Sequence, residues 1–459
     1  MKRMYLALGM TLMFISALYG QQAKLHDHDL NAPFGWATCS SMTTGNDYKV
    51  TGGGSNTPYV LKSTGKDMAG TIKNAIKSNS VVVLDGSEGD FLVSSTIEMS
   101  SLKNRTIVGI NGARLCTSFF FSEEIHQALD KANVKSASTS SGTGGTLSNG
   151  TSVGEARELL TRQTLIDLLK DSSEPWRKAG IFSIKRCDNI IVRNLQFVGP
   201  GACDVGGSDL ISSTYTTHLW VDHCSFTDGE DGNFDITNES NFVTVSWCVF
   251  NYTEHSYDHA NTTLIGGSDS NTADENKLNV TLANIVWGEG CNARMPMARF
   301  GTIHVLNNYF NCAGNGSAVN PRKNSEVLIE GNYFEKGVKK IFSQSSSKAY
   351  QFIDNYYTES FSQPSNKGTV SLPYTYTAAS STSVPAMLTG ENGAGATLTD
   401  PLTIGRESTG VEQTVTTPRV IKVNYFSPQG ISLSSPQKGL NIVVKQYTDG
   451  STKVTKQFI

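Results

Sequence analysis

Thr281-Leu-Ala-Asn-Ile-Val286, Val305-Leu-Asn-Asn-Tyr-Phe310, Ile329-Glu-Gly-Asn-Tyr-Phe334 and Ile353-Asp-Asn-Tyr-Tyr357 begin 24 residues apart and read alike, each a short β-branched or aromatic run punctuated by Asn or Gly. Upstream, Val192-Arg-Asn-Leu-Gln-Phe197, Val221-Asp-His-Cys-Ser-Phe226 and Val245-Ser-Trp-Cys-Val-Phe250 repeat the pattern, the last two again 24 apart. The wider gaps imply loop insertions between units. A unit this short cannot bury its own apolar face, so units must stack on one another. That predicts an all-β chain, a right-handed parallel β-helix; a β-propeller would repeat at about 40–45 residues. The repeat sets Asn284, Asn308 and Asn332 above one another as a ladder of amides paired between rungs. Cys224 and Cys248 share one slot on adjacent rungs, where a strand spacing of about 4.8 Å suits stacked thiols or a disulfide.

Working outward, residues Lys66–Lys77 place Met68, Ile72, Ala75 and Ile76 on one face, which predicts an amphipathic helix capping the N-terminal end of the coil. Val81–Leu84 and Thr106–Ile110 read as the first strands. Residues 117–178 interrupt the repeat with helical stretches around Ile125–Val134 and Glu155–Asp171, separated by a Ser/Thr/Gly-rich loop over Ser136–Ser152. Beyond about residue 398 the periodicity stops. Val420–Tyr425, Leu440–Tyr447 and Lys453–Phe458, with Asp449-Gly450 as a hairpin turn, predict a small β-rich tail over 399–459.

The 459 residues carry 38 Lys and Arg against 41 Asp and Glu, a net charge of −3 that gives no footing for a polyanion tail, so nucleic acid is not an expected partner. Residues 1–20 open with Lys2 and Arg3, continue apolar and end in small residues, the pattern of a secretory signal peptide. Such a chain is expected outside the cell or at its surface, without membrane insertion, acting as a monomer over 21–398. An exported chain with eight cysteines is a candidate for disulfides, although none shows CxxC spacing and a structural role is expected.

The chain contains no HExxH or P-loop motif, and Gly266-Gly-Ser-Asp-Ser270 fails the GxSxG pattern at its final position. His255 and His259 stand four apart in a loop-like stretch and read as a solvent-exposed pair. An acidic cluster gathers Asp209, Asp228, Asp231 and Asp235 around Gly229 and Gly232. Carboxylates one rung apart repel unless a hard cation lies between them, and Ca²⁺ prefers oxygen-only sites. Arg294 and Arg299 flank Pro296 and could hold carboxylates by paired hydrogen bonds. On a β-helix, successive rungs line one face, so these acids and arginines can share a groove suited to an extended chain of sugar acids.

Trp220-Val-Asp-His-Cys-Ser-Phe226, Asp231-Gly-Asn-Phe-Asp-Ile236, Val243-Thr-Val-Ser-Trp247, Leu264-Ile-Gly266 and the stretch Asn292–Arg299, followed by Val305–Phe310, resemble polysaccharide lyase family 1, the pectate and pectin lyase group. The resemblance spans roughly residues 32–398, apart from 117–178. It implies Asp209, Asp231 and Asp235 as Ca²⁺ ligands, Arg294 as the catalytic base and Arg299 as a substrate-binding residue. Asp222 and His223 would form a hydrogen-bonded scaffold under the groove. The implied substrate is acidic plant cell-wall polysaccharide, homogalacturonan or pectin, cleaved by β-elimination. Two departures stand out: the family's further calcium-binding acid falls on Gly207, and its substrate-binding lysine on Asn261. Asp204, Lys277 or the substrate's own carboxylates could fill in. The tail, with Lys438-Gly-Leu-Asn-Ile-Val-Val444, is similar to C-terminal sorting segments of secreted bacterial enzymes. The alternatives are a metal-independent pectin lyase on methyl-esterified substrate, a hydrolase with two flanking carboxylates, and a glycan-binding surface β-helix without activity.

Overall fold

The structure, a computed structural model, describes residues 32–404, 420–428, 431–447 and 452–458. Residues 1–20, read as a signal peptide, and the Asp449-Gly450 turn lie outside the described residues. Two compact units divide the chain at Gly405/Arg406.

The first unit is a coil of three parallel sheets with ten, nine and seven strands. A complete rung contributes one strand to each sheet, the end rungs are missing one or two, and every neighbour in a sheet comes from the rung before or after. In the first sheet, Val82, Ile107, Val192, Val221, Val245, Leu282, Val305, Ile329 and Phe352 stand in register, one above another. All nine are buried. Branched side chains suit such a pleated, fully covered position. In the second sheet an aromatic column runs Phe197, Phe226, Phe250, Trp287, Phe310, Phe334 and Tyr357, with neighbouring ring centroids 4.4–6.1 Å apart. The repeat visible in the sequence is therefore the vertical spacing of these columns, and the right-handed parallel β-helix is the fold.

Register corrects one feature. Ile285, not Asn284, stands opposite Asn308, because Thr281 pairs with His304. The ladder runs Asn308, Asn332 and Asn355: each side-chain carbonyl accepts from the backbone N–H one rung before it, and each amide donates to a carbonyl there. Asn284 instead occupies the left-handed turn position at φ 57°, as Asn307 does at φ 50°. Asn tolerates that conformation because its short side chain can bond locally. Both roles select Asn, so a one-residue slip is invisible in the sequence. All eight cysteines are buried free thiols, Cys224 and Cys248 included.

Helix α1 (Ala69–Ser78) buries Ile72, Ala75 and Ile76, with Met68 just ahead of it, against the first rungs. That covers backbone and apolar edges that stacking would otherwise leave open. The 117–178 segment forms α2 (Glu123–Lys131) and α3 (Ala156–Leu169). Between them the Ser/Thr/Gly-rich stretch is not wholly loop: Gly145–Thr146 pairs antiparallel with Ser152–Val153. This segment has its own core of Phe121, Ile125, Leu129, Leu165, Ile166 and Trp176, which also takes in Cys203 and Val205 from the coil. Residues 399–404 run with the first unit, where Pro401 and Thr403 carbonyls accept from Arg193. The second unit, Arg406–Ile459, is an antiparallel four-stranded sheet formed by Val420–Phe426, Ser432–Leu433, Leu440–Tyr447 and Thr452–Phe458.

Candidate active site

The third sheet carries the acids. Strands Ile211–Thr214 and Phe234–Thr237 pair so that Ile211 and Phe234 point inward and Ser212 and Asp235 point out. Asp209 precedes the first of these strands, and Asp231 precedes the second by three residues. Gly232 lets them meet. A Cβ there would sit 2.8 Å from Asp209 Oδ1 and 3.2 Å from Asp235 Oδ1, so any side chain would occupy the space the two carboxylates face.

Electrostatics link these residues to Arg294. Burial, then Asp235 and Asp231, push the Asp209 carboxyl well above its ordinary range, while Arg294 pulls it back. Asp235 is pushed up to about 7 by burial, with Arg294 opposing and Asp231 adding. At Asp231 burial also pushes upward, but close contact with His259 and the charge of Arg294 outweigh it and hold the group low. Arg294 precedes Met297–Ala298, a strand of the same third sheet, and its charge acts on all three acids. It is held there by the rungs on either side: Thr263 N–H donates to its carbonyl, and Met295 N–H donates to Ala318. Its backbone is left-handed at φ 63°, a position that costs a long side chain energy. No described carboxylate clamps its guanidinium in an ion pair.

Arg299 lies one rung beyond Gly266, mostly buried, with Nε donating to Asp269 Oδ1 at 2.5 Å and Nη1 to Gly266 O at 2.8 Å. Two of its nitrogens are engaged, which fixes the plane of the fork. Asp269 was not singled out by the sequence, since an acid in a Gly/Ser turn carries no motif.

Other expectations need correction. Asp228 is a brace, accepting from Thr253 N–H, Thr253 Oγ1 and Ser256 Oγ. His259 is not half of a solvent-exposed pair. Its Nε2 stands 3.0 Å from Asp231 Oδ1 and its Nδ1 3.7 Å from Asp204 Oδ1. His255 instead offers its carbonyl to His126. Asp204 is already engaged, with Arg157 Nε 3.6 Å away and His259 Nδ1 3.7 Å away. Lys277 belongs to the turn before Val280–Ala283 in the first sheet. Asp222 and His223 form a buried network with Arg193 and Ser246, at 2.7–2.9 Å. That network sits at the corner between the first and second sheets, not under the third.

Glu230 was missed. It is 0% exposed, accepts from Ser208 N–H at 2.8 Å through Oε2, and leaves Oε1 buried without a hydrogen-bond partner. Asp209 Oδ1 is likewise buried and unpartnered. Among the described residues no three His, Cys, Asp or Glu side chains form a ready-made metal cage. The donor set nevertheless fits a hard cation: oxygen-only acids, mutually repelling, with orphaned buried lone pairs.

A pectate lyase family model matches residues 159–397. Pectate lyase A of Aspergillus niger is 35% identical over 238 residues, covering 50% of this chain and 69% of the fungal protein. Probable pectate lyase B of Aspergillus terreus is 34% identical over 207 residues, 42% of this chain and 60% of that protein. In fold, the chain is similar to a pectate lyase from Bacillus sp. N165 solved in complex with trigalacturonate, with TM-score 0.52, 18% identity, and coverage of 80% and 99%. A Paenibacillus sp. 0602 pectate lyase superposes with TM-score 0.50 at 15% identity, covering 81% and 97%. The chain belongs to the pectate lyase family of polysaccharide lyases.

Proposed function

We propose that this enzyme cleaves (1→4)-α-D-galacturonan by Ca²⁺-assisted β-elimination, leaving 4,5-unsaturated oligogalacturonides. The observation that carries the reading is the shared trough of Asp209, Asp231, Asp235 and Arg294, in which one arginine acts on all three acids.

Asp209, Asp231 and Asp235 would hold the ion. When bound, it supplies charge that draws on the substrate's C6 carboxylate, acidifies the C5 proton and stabilises the enolate-like state. Arg294, free of any described ion pair, takes the C5 proton. The electron pair forms the C4–C5 double bond, the C4–O bond breaks, and the leaving oxygen is protonated from water. Arg299, its fork fixed by Asp269 and Gly266, binds a second uronate carboxylate. A guanidinium releases its proton only above about pH 12, so neutral base is scarce at pH 7 and activity rises into the alkaline range. Converging, repelling carboxylates favour this reading over a metal-free lyase on esterified pectin.

Residues 1–20 are proposed as a secretory signal and the C-terminal unit as a sorting or accessory module, which places a monomeric enzyme on plant cell-wall pectin outside the cell. No helix among the described residues is long and apolar enough to cross a membrane. The test is the ultraviolet absorbance of unsaturated ends released from polygalacturonate, with EDTA and with added Ca²⁺. The reading requires a signal that chelation abolishes and Ca²⁺ restores; products without the unsaturated chromophore would point to hydrolysis instead.

A further inference from the structure

We propose that Glu230 is a fourth carboxylate of this cation site, delivered from the neighbouring rung into the space that a side chain at position 207 would fill. The inference rests on the calcium reading above and adds to it a residue that no motif marks.

Three observations carry it. A Cβ built on Gly207 would lie 1.4 Å from Glu230 Oε2, so an acid at 207 and the carboxylate of Glu230 compete for one volume. Glu230 holds that volume: Ser208 N–H, next to Gly207, donates to Oε2 at 2.8 Å. Its other oxygen, Oε1, is buried and neither gives nor receives a hydrogen bond.

A fully buried carboxyl group with one idle oxygen is costly in either state. Ionised, it keeps a buried oxygen that no donor meets; protonated, it buries an O–H without an acceptor. Arg177 Nε and Nη2 donate to the carbonyls of Val205 and Gly206, not to Glu230. A divalent cation shared with Asp209 and Asp231 resolves all of these costs together. The competing account, a protonated glutamic acid that only braces Ser208, predicts no effect on metal binding when the group is made an amide.

The experiment is calorimetric titration of the full-length protein with Ca²⁺ alone, without substrate. Glu230→Gln keeps the shape and the acceptor for Ser208 while removing the charge. Losing one of four anionic ligands is expected to weaken Ca²⁺ binding about tenfold or more. Gly207→Asp alone should collide with Glu230 and bind poorly. The double variant Gly207→Asp/Glu230→Ala exchanges the two positions and should recover affinity to within about threefold of the parent, since the ligand charge count is restored. If Glu230→Gln binds Ca²⁺ as tightly as the parent while Asp235→Asn loses it, Glu230 is no ligand and the three-acid site stands. If the parent binds no Ca²⁺, the calcium reading itself falls. Should Glu230→Gln fail to fold, the double variant decides: tight binding supports the exchange, and loss of binding in a folded double variant overturns it.

Discussion

His259 joins Asp231 to Asp204, its two ring nitrogens standing 3.0 Å and 3.7 Å from their carboxylates. One imidazole thus ties an acid of the proposed metal site to the loop packed against the helical insertion. Groups that orient metal ligands typically change affinity or activity by about 10–100-fold when removed. His259→Ala should therefore raise the Ca²⁺ concentration needed for half-maximal activity by at least about tenfold, and His259→Gln, which keeps a donor, should recover part of it. Equal Ca²⁺ requirements in both variants and parent would show that Asp231 needs no such partner.

Arg294 carries a sharper expectation. A positioned general base contributes about 10²–10⁴-fold to rate. Arg294→Lys should lower kcat on polygalacturonate by about that factor while KM moves little, because Arg299 and the acids still bind substrate. The parent's rate should climb with pH well past neutrality. A pH–rate profile that falls above about pH 6 would fit a group ionising far below an arginine and would remove Arg294 as base.

The coil itself was legible in the sequence because its core columns repeat: Val192, Val221, Val245, Val305 and Ile329 all stack. What a repeat does not resolve is register, as Asn284 shows, since the turn position and the ladder position both favour Asn. Asp209, Asp231, Asp235 and Arg294 could be named from family-like motifs, and the stacking of rungs brings them together. Glu230, Asp269 and His259 could not. Their roles depend on loops crossing between rungs, and nothing in their sequence spacing encodes which rung a long side chain will reach. Glycine at 207 leaves a volume open, and it is the fold that brings Glu230 from the next rung to fill it.

Stability should depend on pH through Asp235. Its carboxyl, pushed up to about 7 by burial foremost, keeps a proton in the folded state, whereas the unfolded chain releases it near pH 4. Between these values the folded state binds more protons, so the contribution is present at low pH and is lost as pH rises toward 7. Without metal, the parent's unfolding free energy should fall relative to Asp235→Asn as pH rises from about 4 to about 7, by at most about 1.4 kcal/mol per pH unit in denaturant unfolding. Added Ca²⁺ should restore the neutral-pH loss in the parent alone, because a cation favours ionised ligands. A parent–variant difference that stays constant across the window would contradict this.

Asn308 tests the ladder. It is fully buried, with Oδ1 accepting from Ile285 N–H at 2.8 Å and Nδ2 donating to Leu282 O at 3.0 Å. Asn308→Leu has nearly the same size but orphans both backbone groups, at about 1–3 kcal/mol each. The expected loss is about 2–6 kcal/mol in denaturant unfolding, against a much smaller one for Asn284→Gly at the left-handed turn, where Gly is conformationally suited. Equal losses at the two positions would mean that the ladder contributes nothing beyond the turn.

Arg157 tests whether the insertion belongs to the site. It projects from the start of α3 and bridges Asp204, at 3.6 Å, and Asp258, which it contacts more closely. Asp258 immediately precedes His259, and Asp204 contacts its ring, so the insertion holds the imidazole from both sides. Arg157→Ala removes the arginine from two partly buried acids, and the expected loss of stability is about 1–3 kcal/mol, less than for a fully buried pair because water still reaches Asp258. The same variant should raise the Ca²⁺ requirement in the direction of His259→Ala, and combining the two should give less than the sum, since both act through Asp231. Additive effects would separate the insertion from the metal site and leave it a purely structural appendage.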